Sequence, residues 1–216
     1  MTSPFNGRLG AACQHFNIEE AIVNIAIFIY EDAEVLDFAG PFEVFATANR
    51  LSNAKDSFNV FLVAQAKAPV MARAGFSVNP HYDFSNHPNI DVLIVAGGIH
   101  DRELDKSCVI DWVNKVAANA QYVTSVCTGA FILAKAGLLS KRNVTTHWQD
   151  IDELERSFPM VTVVKSRRWV EDGKLVTSGG ISAGIDMSLY LVSSLEGVDL
   201  ARLTAKQMEY EWNRDA

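Results

Sequence analysis

Short apolar runs rich in β-branched and aromatic residues alternate along this chain with longer segments of helical periodicity. A short continuous apolar run is typical of a strand that is buried on both faces. The runs that predict such strands are residues 24–30, 58–64, 91–96 and 121–126. Shorter strands are predicted at residues 161–164, 168–170 and 174–177, and a hairpin at residues 69–79.

Apolar residues spaced three and four positions apart predict the helices between these strands. The predicted helices follow residue 41, begin near residues 105 and 128, and cover residues 148–157, 182–195 and 200–212. The stretch from Asp37 to Pro41 is interpreted as a turn that leads into the first helix, with Pro41 in its first helical turn. This alternation predicts an α/β fold: a mostly parallel sheet with helices on both faces and right-handed crossovers.

The length of 216 residues is compatible with one domain of this kind. Residues 23–216 are predicted to form that domain, and residues 1–22 are predicted to be an unstructured or loosely docked extension. The extension lacks a basic segment followed by a long apolar stretch, so neither a secretory signal nor a membrane span is expected.

The overall charge and the cysteine count narrow the class of protein. A net charge of −7 argues against binding to nucleic acid, which depends on clustered Lys and Arg. The three cysteines, Cys13, Cys108 and Cys127, are too few and too scattered for a disulfide framework, which favours a reducing cytoplasm. No cysteine or histidine has the spacing of metal ligands, so no metal is expected.

Cys127 is the thiol that the local sequence singles out. It follows the strand at residues 121–126 and precedes a helix with almost no loop between them, and such a turn needs small neighbours. Ser125 and Gly129 meet that need on either side. A thiol at the start of a helix also lies in a positive field that favours the reactive thiolate. The alternative is a buried structural cysteine.

The pair Gly97 and Gly98 ends the neighbouring strand of the predicted sheet. Ligands of open α/β sheets bind at the carboxyl ends of the strands. Backbone N–H groups of these glycines, together with that of Thr128, are therefore candidates for an oxyanion hole beside Cys127. The alternative is a plain turn.

Five segments in order give the chain a resemblance to the ThiJ/PfpI superfamily, whose members are related to class I glutamine amidotransferases. The order and spacing match over roughly residues 24–212, and the subgroup most similar is that of isocyanide (isonitrile) hydratases, together with the amidotransferase-like domains of AraC-type regulators. The segments are residues 36–44, 95–98, 125–130, 145–148 and 177–186.

The resemblance implies a flavodoxin-like fold, usually homodimeric, with a nucleophilic cysteine at the elbow and an acidic residue facing it. Cys127 and Asp37 stand at the matching positions, and the hydroxyl of Thr128 would bind substrate or water. A carboxyl next to a thiolate is kept protonated, because two like charges at close range are unfavourable, and it can then act as a general acid. Taken alone, the position of Asp37 would favour a turn or helix cap.

The resemblance also bears on His147, Gly180 and Ile181. In the proteolytic branch a histidine follows the cysteine directly, whereas here Thr128 does, so peptidase activity is not expected. His147 is interpreted as a structural residue that supports the site, and not as part of a Cys–His triad. Gly180 and Ile181 would bring backbone close to a substrate, although they could equally form a strand-to-helix turn.

Two residues further along the chain are given structural interpretations. Asp186 is interpreted as a first-turn helix acid, and the short basic patch around Arg168 as solvated surface.

The function implied by the resemblance is cofactor-free hydration of a small isocyanide to an N-substituted formamide. The alternatives are a non-catalytic or redox sensor domain, as in the AraC-type regulators, and a glyoxalase-type enzyme. The chain ends at Ala216, with no room after Tyr210 for a helix-turn-helix, which favours the enzyme. The hydratases that this chain resembles continue past that region, so the resemblance does not determine which substrate is preferred.

Overall fold

A computed structural model describes residues 22–52 and 57–214. The predicted extension at residues 1–22 lies outside these ranges apart from Ile22. The strands are β1 (Val23–Phe28), β2 (Phe58–Ala64), β3 (Val70–Ala72), β4 (Phe76–Val78), β5 (Tyr82–Asp83), β6 (Val92–Val95), β7 (Tyr122–Val126), β8 (Asn143–Val144), β9 (Thr162–Val163), β10 (Trp169–Asp172) and β11 (Leu175–Ser178). The helices are α1 (Val35–Leu51), α2 (Asp101–Leu104), α3 (Ser107–Asn119), α4 (Gly129–Lys135), α5 (Ile151–Ser157), α6 (Ala183–Glu196) and α7 (Val198–Gln207).

A seven-stranded sheet in the order β10-β11-β7-β6-β1-β2-β5 runs through the described part of the chain. Its strands pair in parallel except at the β10–β11 edge, which is an antiparallel hairpin. The predicted mostly parallel α/β fold is confirmed. Since parallel strands point the same way, the loops after β1, β6, β7 and β11 meet at one edge of the sheet.

The core lies on both faces of this sheet. All four residues of β6 are buried, and successive side chains of a strand point to opposite faces, so both faces are covered. Helices α1, α6 and α7 contact one another, and α2, α3 and α4 form a second group of contacts. The predicted hairpin at residues 69–79 is confirmed as β3 and β4, joined by a 3-10 turn.

The start of α1 differs from the sequence expectation. The interpretation of residues 37–41 as a turn is wrong, because α1 begins at Val35 and Pro41 lies inside it. The helical turn starts at the carbonyl of Glu34, which accepts the Asp37 N–H at 3.1 Å. Pro41 has no N–H to donate to the carbonyl four residues before it, and the helix continues past this one missing hydrogen bond.

The last helix is shorter than expected. The sequence predicted helix to residue 212, whereas α7 ends at Gln207. Glu209 has a φ of 49°, in the left-handed region, and the N–H of Tyr210 bonds to the carbonyl of Ala205 at 2.9 Å. The chain then turns back towards α6. In the described ranges no helix is both long and apolar enough to span a membrane.

Candidate active site

Cys127 occupies the turn between β7 and α4, and its backbone is strained there. Its φ is 56°, and its N–H lies 3.2 Å from the carbonyl of Ser178 and 3.1 Å from that of Gly179. A Cβ at Gly129 would lie 2.2 Å from the carbonyl oxygen of Val95, so only glycine fits beside the elbow. The side chain of Cys127 is buried apart from a small exposed fraction.

Asp37 lies in the first turn of α1, and its side chain is completely buried. Its two carboxylate oxygens accept hydrogen bonds from opposite sides: Oδ2 from the N–H of Gly97 at 3.1 Å and Oδ1 from the N–H of Ile181 at 3.0 Å. A Cβ at Gly97 would lie 2.6 Å from Oδ2 and 2.7 Å from the Cβ of Cys127. The missing side chain at position 97 therefore makes room for the carboxyl beside the cysteine.

The electrostatics of the two groups are linked. Burial raises the pKa of Asp37 to about 7, and the charge of Glu34 adds to the rise against the two backbone hydrogen bonds. Burial also raises the pKa of Cys127 above its usual range, and the charge of Asp37 raises it further. The N–H of Thr128 lowers that pKa, as expected at a helix start, but burial and the carboxylate outweigh it. The helix start therefore favours the thiolate as expected, but in the free protein burial and the charge of Asp37 favour the thiol more strongly.

The N–H groups of Gly97 and Gly98 are both engaged inside the protein. The Gly97 N–H binds Asp37, and the Gly98 N–H donates to Thr128 Oγ1 at 2.9 Å. The Thr128 hydroxyl donates in turn to the Gly98 carbonyl at 2.8 Å. Of the three N–H groups considered for an oxyanion hole, that of Thr128 is the one that faces the sulfur.

Gly180 and Ile181 form the wall of the site opposite the elbow. A Cβ at Gly180 would lie 2.3 Å from Cδ2 of His147 and 3.3 Å from Sγ of Cys127. Ile181 has a φ of 55°, and this left-handed conformation accompanies the hydrogen bond that its N–H gives to Asp37. Both residues thus contact the groups of the site through their backbone.

His147 and Asp150 lie beside Cys127. Nδ1 of His147 is 3.1 Å from Oδ2 of Asp150, and the potential ligand atoms of the three residues all lie within 4.8 Å of one another. The sequence predicts a supporting role for His147 but gives no role to Asp150. The signal available was a carboxylate three residues after a histidine. The same three groups are close enough to hold a metal ion, so the expected absence of a metal stays a prediction.

A cavity of about 450 Å³ opens above these residues. Cys127, Thr128, His147 and Ile181 line one part of it, and Arg73 of the β3–β4 turn and Glu34, which precedes α1, line another. From the β3–β4 turn Arg73 approaches Glu34 at 3.7 Å, a pair that the sequence analysis missed. A space of this size fits a small molecule placed directly on the thiol.

The family can be assigned from the sequence as a whole. The profile of the DJ-1/PfpI family matches residues 23–194. This chain belongs to the DJ-1/PfpI family. The predicted membership of the ThiJ/PfpI group is thereby confirmed, and so is the flavodoxin-like fold, since members of the family with solved structures share it.

Individual DJ-1/PfpI relatives include an enzyme, a regulator and a solved structure. Isonitrile hydratase of Pseudomonas putida is 37% identical over 190 residues, which cover 87% of this chain and 78% of the hydratase. The transcriptional regulator CdhR of Pseudomonas aeruginosa is 30% identical over 80% of this chain, which spans about half (51%) of the regulator. A ThiJ/PfpI protein crystallised from Pseudomonas syringae superposes with a TM-score of 0.79 at 25% identity, over 97% of this chain and 84% of that one.

Proposed function

We propose that this protein hydrates small isocyanides to N-substituted formamides, with Cys127 as the nucleophile and Asp37 as its acid–base partner. The observation that carries the proposal is the thiol of Cys127, which lines a small cavity and has the buried carboxyl of Asp37 beside it, in a chain 37% identical to an isonitrile hydratase.

The first half of the reaction joins sulfur to the isocyanide carbon. The pair holds one proton, which passes from the thiol to the carboxylate of Asp37 as the thiolate attacks the carbon. Asp37 then gives this proton to the same carbon, and the product is a thioimidate on Cys127. The hydrogen bonds from Gly97 and Ile181 hold the carboxyl in place for both transfers.

The second half adds water. Water attacks the thioimidate carbon. One hydrogen of the water passes to the nitrogen and the other to the leaving sulfur, so the formamide is released and the thiol is restored. The N–H of Thr128 lies next to the sulfur, where it stabilises negative charge that develops at the reacting centre. Every proton in this sequence comes from the pair or from water, so the proposed reaction uses no cofactor.

The test is production of formamide from an alkyl and an aryl isocyanide. We expect turnover by the wild-type protein and by Cys108→Ala, which removes an exposed thiol, and none by Cys127→Ala. Equal formamide production by wild type and Cys127→Ala would refute the proposal.

The second candidate is a ligand-binding regulatory domain, which is favoured by the similarity to CdhR. Such a domain would bind a small molecule in the cavity without consuming it. Binding of an isocyanide with no formamide formed by the wild-type protein would favour this candidate over the hydratase.

A further inference from the structure

The surroundings of His147 assign it a role in the second half of the reaction. We infer that His147, oriented by Asp150, is the base that activates the water attacking the Cys127 thioimidate, while Asp37 serves the first half alone. This inference rests on the hydration proposed above. It names a further catalytic residue, His147, and a positioning residue, Asp150.

The chain fastens His147 into the site through the two residues before it. The N–H of Thr145 donates to Thr177 Oγ1 at 2.8 Å, and the hydroxyl of Thr146 donates to the carbonyl of Cys127 itself at 2.8 Å. Both threonines are buried, so these hydrogen bonds are shielded from water. The backbone that carries His147 is therefore tied directly to the elbow.

The opposite wall is shaped to the imidazole ring. Gly180 leaves the space that Cδ2 of His147 occupies, because a Cβ there would approach to 2.3 Å. A residue with any side chain at this position would push the ring away from Cys127. The glycine and the two threonine bonds together place His147 where a water on the thioimidate would lie.

Asp150 determines which ring nitrogen can act as a base. A carboxylate accepts hydrogen bonds and donates none, so the contact between its Oδ2 and Nδ1 of His147 requires the hydrogen on Nδ1. In the neutral ring the lone pair then lies on Nε2. The same contact stabilises the imidazolium that forms once Nε2 has taken a proton.

Asp37 is poorly placed to perform this step. Its side chain is completely buried, and each of its oxygens is already an acceptor for a backbone N–H. The side chain of His147 is 19% exposed and lines the cavity through which water arrives. A water in the cavity can therefore reach the imidazole without displacing the hydrogen bonds of Asp37.

The proton transfers balance without any further reactant. As the water oxygen bonds to the thioimidate carbon, one water proton passes to Nε2 of His147, which then gives it to the nitrogen of the adduct. The C–S bond then breaks as the C=O bond forms from the hydroxyl. The proton released from that hydroxyl passes through His147 to the leaving sulfur and restores the thiol, while Asp37 stays a carboxylate throughout this half.

The experiment measures the two halves of the reaction separately. Wild type, His147→Gln and Asp150→Asn are each mixed with one equivalent of an aryl isocyanide, and samples are quenched in acid at intervals. The mass of the intact protein is measured by mass spectrometry, and formamide is measured in parallel. Asp152→Asn is the matched control, because this carboxylate lies two residues after Asp150, in the first turn of α5, is 85% exposed and pairs with Lys165.

We expect His147→Gln to form the adduct, seen as the added mass of one isocyanide, at a rate within about threefold of wild type, and to hydrolyse it about a hundredfold more slowly. Asp150→Asn should accumulate the same adduct and hydrolyse it about tenfold more slowly, and Asp152→Asn should match wild type. If His147→Gln does not fold, Asp150→Asn still tests the inference, because the side chain of Asp150 is partly exposed.

Two results would overturn the inference while the proposed function stands. One is hydrolysis of the adduct at the wild-type rate in both variants, and the other is an equal slowing of adduct formation and hydrolysis. If the wild-type protein forms neither adduct nor formamide, the hydratase proposal itself fails, and the inference falls with it.

Discussion

The thiol of Cys127 lies beside the carboxyl of Asp37, and the two groups influence each other's pKa in a part of the site from which water is largely excluded. The two residues are 90 positions apart along the chain, and the missing side chain of Gly97 lets them meet. Because burial disfavours the charged form of both groups, each of them keeps its proton up to a higher pH than the isolated group would.

Removing the charge of Asp37 should make the thiol more acidic. In a background with Cys13 and Cys108 replaced by Ser, we expect Asp37→Asn to be labelled by a thiol reagent at pH 8 about tenfold faster than the parent, which corresponds to one unit of thiol pKa. The direction follows because the carboxylate raises the pKa of Cys127. Asp150→Asn, whose charge has a smaller effect, is the comparison. Slower labelling of Asp37→Asn than of the parent would contradict this.

The same carboxyl should make stability depend on pH. Its pKa rises from an ordinary value near 3.8 to about 7 in the folded protein, so between these values the native state binds more protons than the unfolded state. The contribution of Asp37 is therefore fully present below about pH 4 and is lost as the pH rises to 7, with a slope of up to about 1.4 kcal/mol per pH unit.

Urea unfolding of wild type and Asp37→Asn from pH 4.5 to 8 measures this effect. We expect the difference in unfolding free energy, wild type minus variant, to decrease steadily up to about pH 7 and then to level off. The amide places a donor against a backbone N–H, which adds an offset that does not depend on pH. A constant difference across the whole range would show that the carboxyl titrates normally.

Gly180 and its neighbour Gly179 offer a matched pair of substitutions. Gly180→Ala places a Cβ 2.3 Å from His147, whereas the nearest atom to a Cβ at Gly179 is 3.5 Å away, an ordinary contact. We expect Gly180→Ala to lose about 1 to 3 kcal/mol of stability through overpacking and most of its turnover. Gly179→Ala should keep both, as measured by thermal unfolding and formamide production. Wild-type stability and turnover of Gly180→Ala would show that the imidazole ring of His147 does not lie against position 180.

Asp186 anchors the C-terminal segment, which corrects two interpretations made from the sequence. It is a first-turn residue of α6, as expected, but its buried carboxylate also pairs with Arg168, so Arg168 is not simply solvated surface. The carboxylate further accepts the hydroxyl of Tyr210 at 3.2 Å and the N–H of Asn213 at 2.9 Å. These bonds hold the chain that follows α7 against α6.

Arg168→Ala should therefore destabilise the fold. It leaves a buried carboxylate without its cation, and we expect a loss of about 2 to 3 kcal/mol, with the remaining donors limiting the effect. Arg202→Ala is the control, because Arg202 and Asp199 form an exposed pair that should contribute less than about 0.5 kcal/mol. Equal unfolding midpoints in urea for the two variants would contradict the anchoring role.

The sequence predicted the sheet well because its signal is local. The apolar run at residues 58–64 coincides with β2, and Gly129 could be recognised as a required small residue at the elbow. The turn assigned to residues 37–41 was wrong because Gly and Pro favour turns locally, whereas packing of α1 on the core decides the outcome. Homodimer formation and a cytoplasmic location stay predictions.

The site was predictable in part. Cys127 followed from its own neighbours, but Asp37 was found only through the family resemblance, since its contacts with Gly97 and Ile181 join distant parts of the chain. Asp150 could have been recognised from its position three residues after His147, but nothing in the local sequence of Arg73 reveals what it faces. The raised pKa of the thiol was missed for the same reason, since burial is a property of the folded chain.

The pH dependence of kcat/KM for an isocyanide tests the central claim most directly, with the Cys127→Ala rate subtracted as background. The reactive state of the Cys127–Asp37 pair holds one proton, so the account predicts that kcat/KM rises about tenfold per pH unit up to about pH 7, the pKa of the buried carboxyl, and is then level. Asp37→Asn should lose this limb together with most of its turnover. A wild-type profile that is flat through pH 7, or an Asp37→Asn variant with the wild-type rate and profile, would contradict the account.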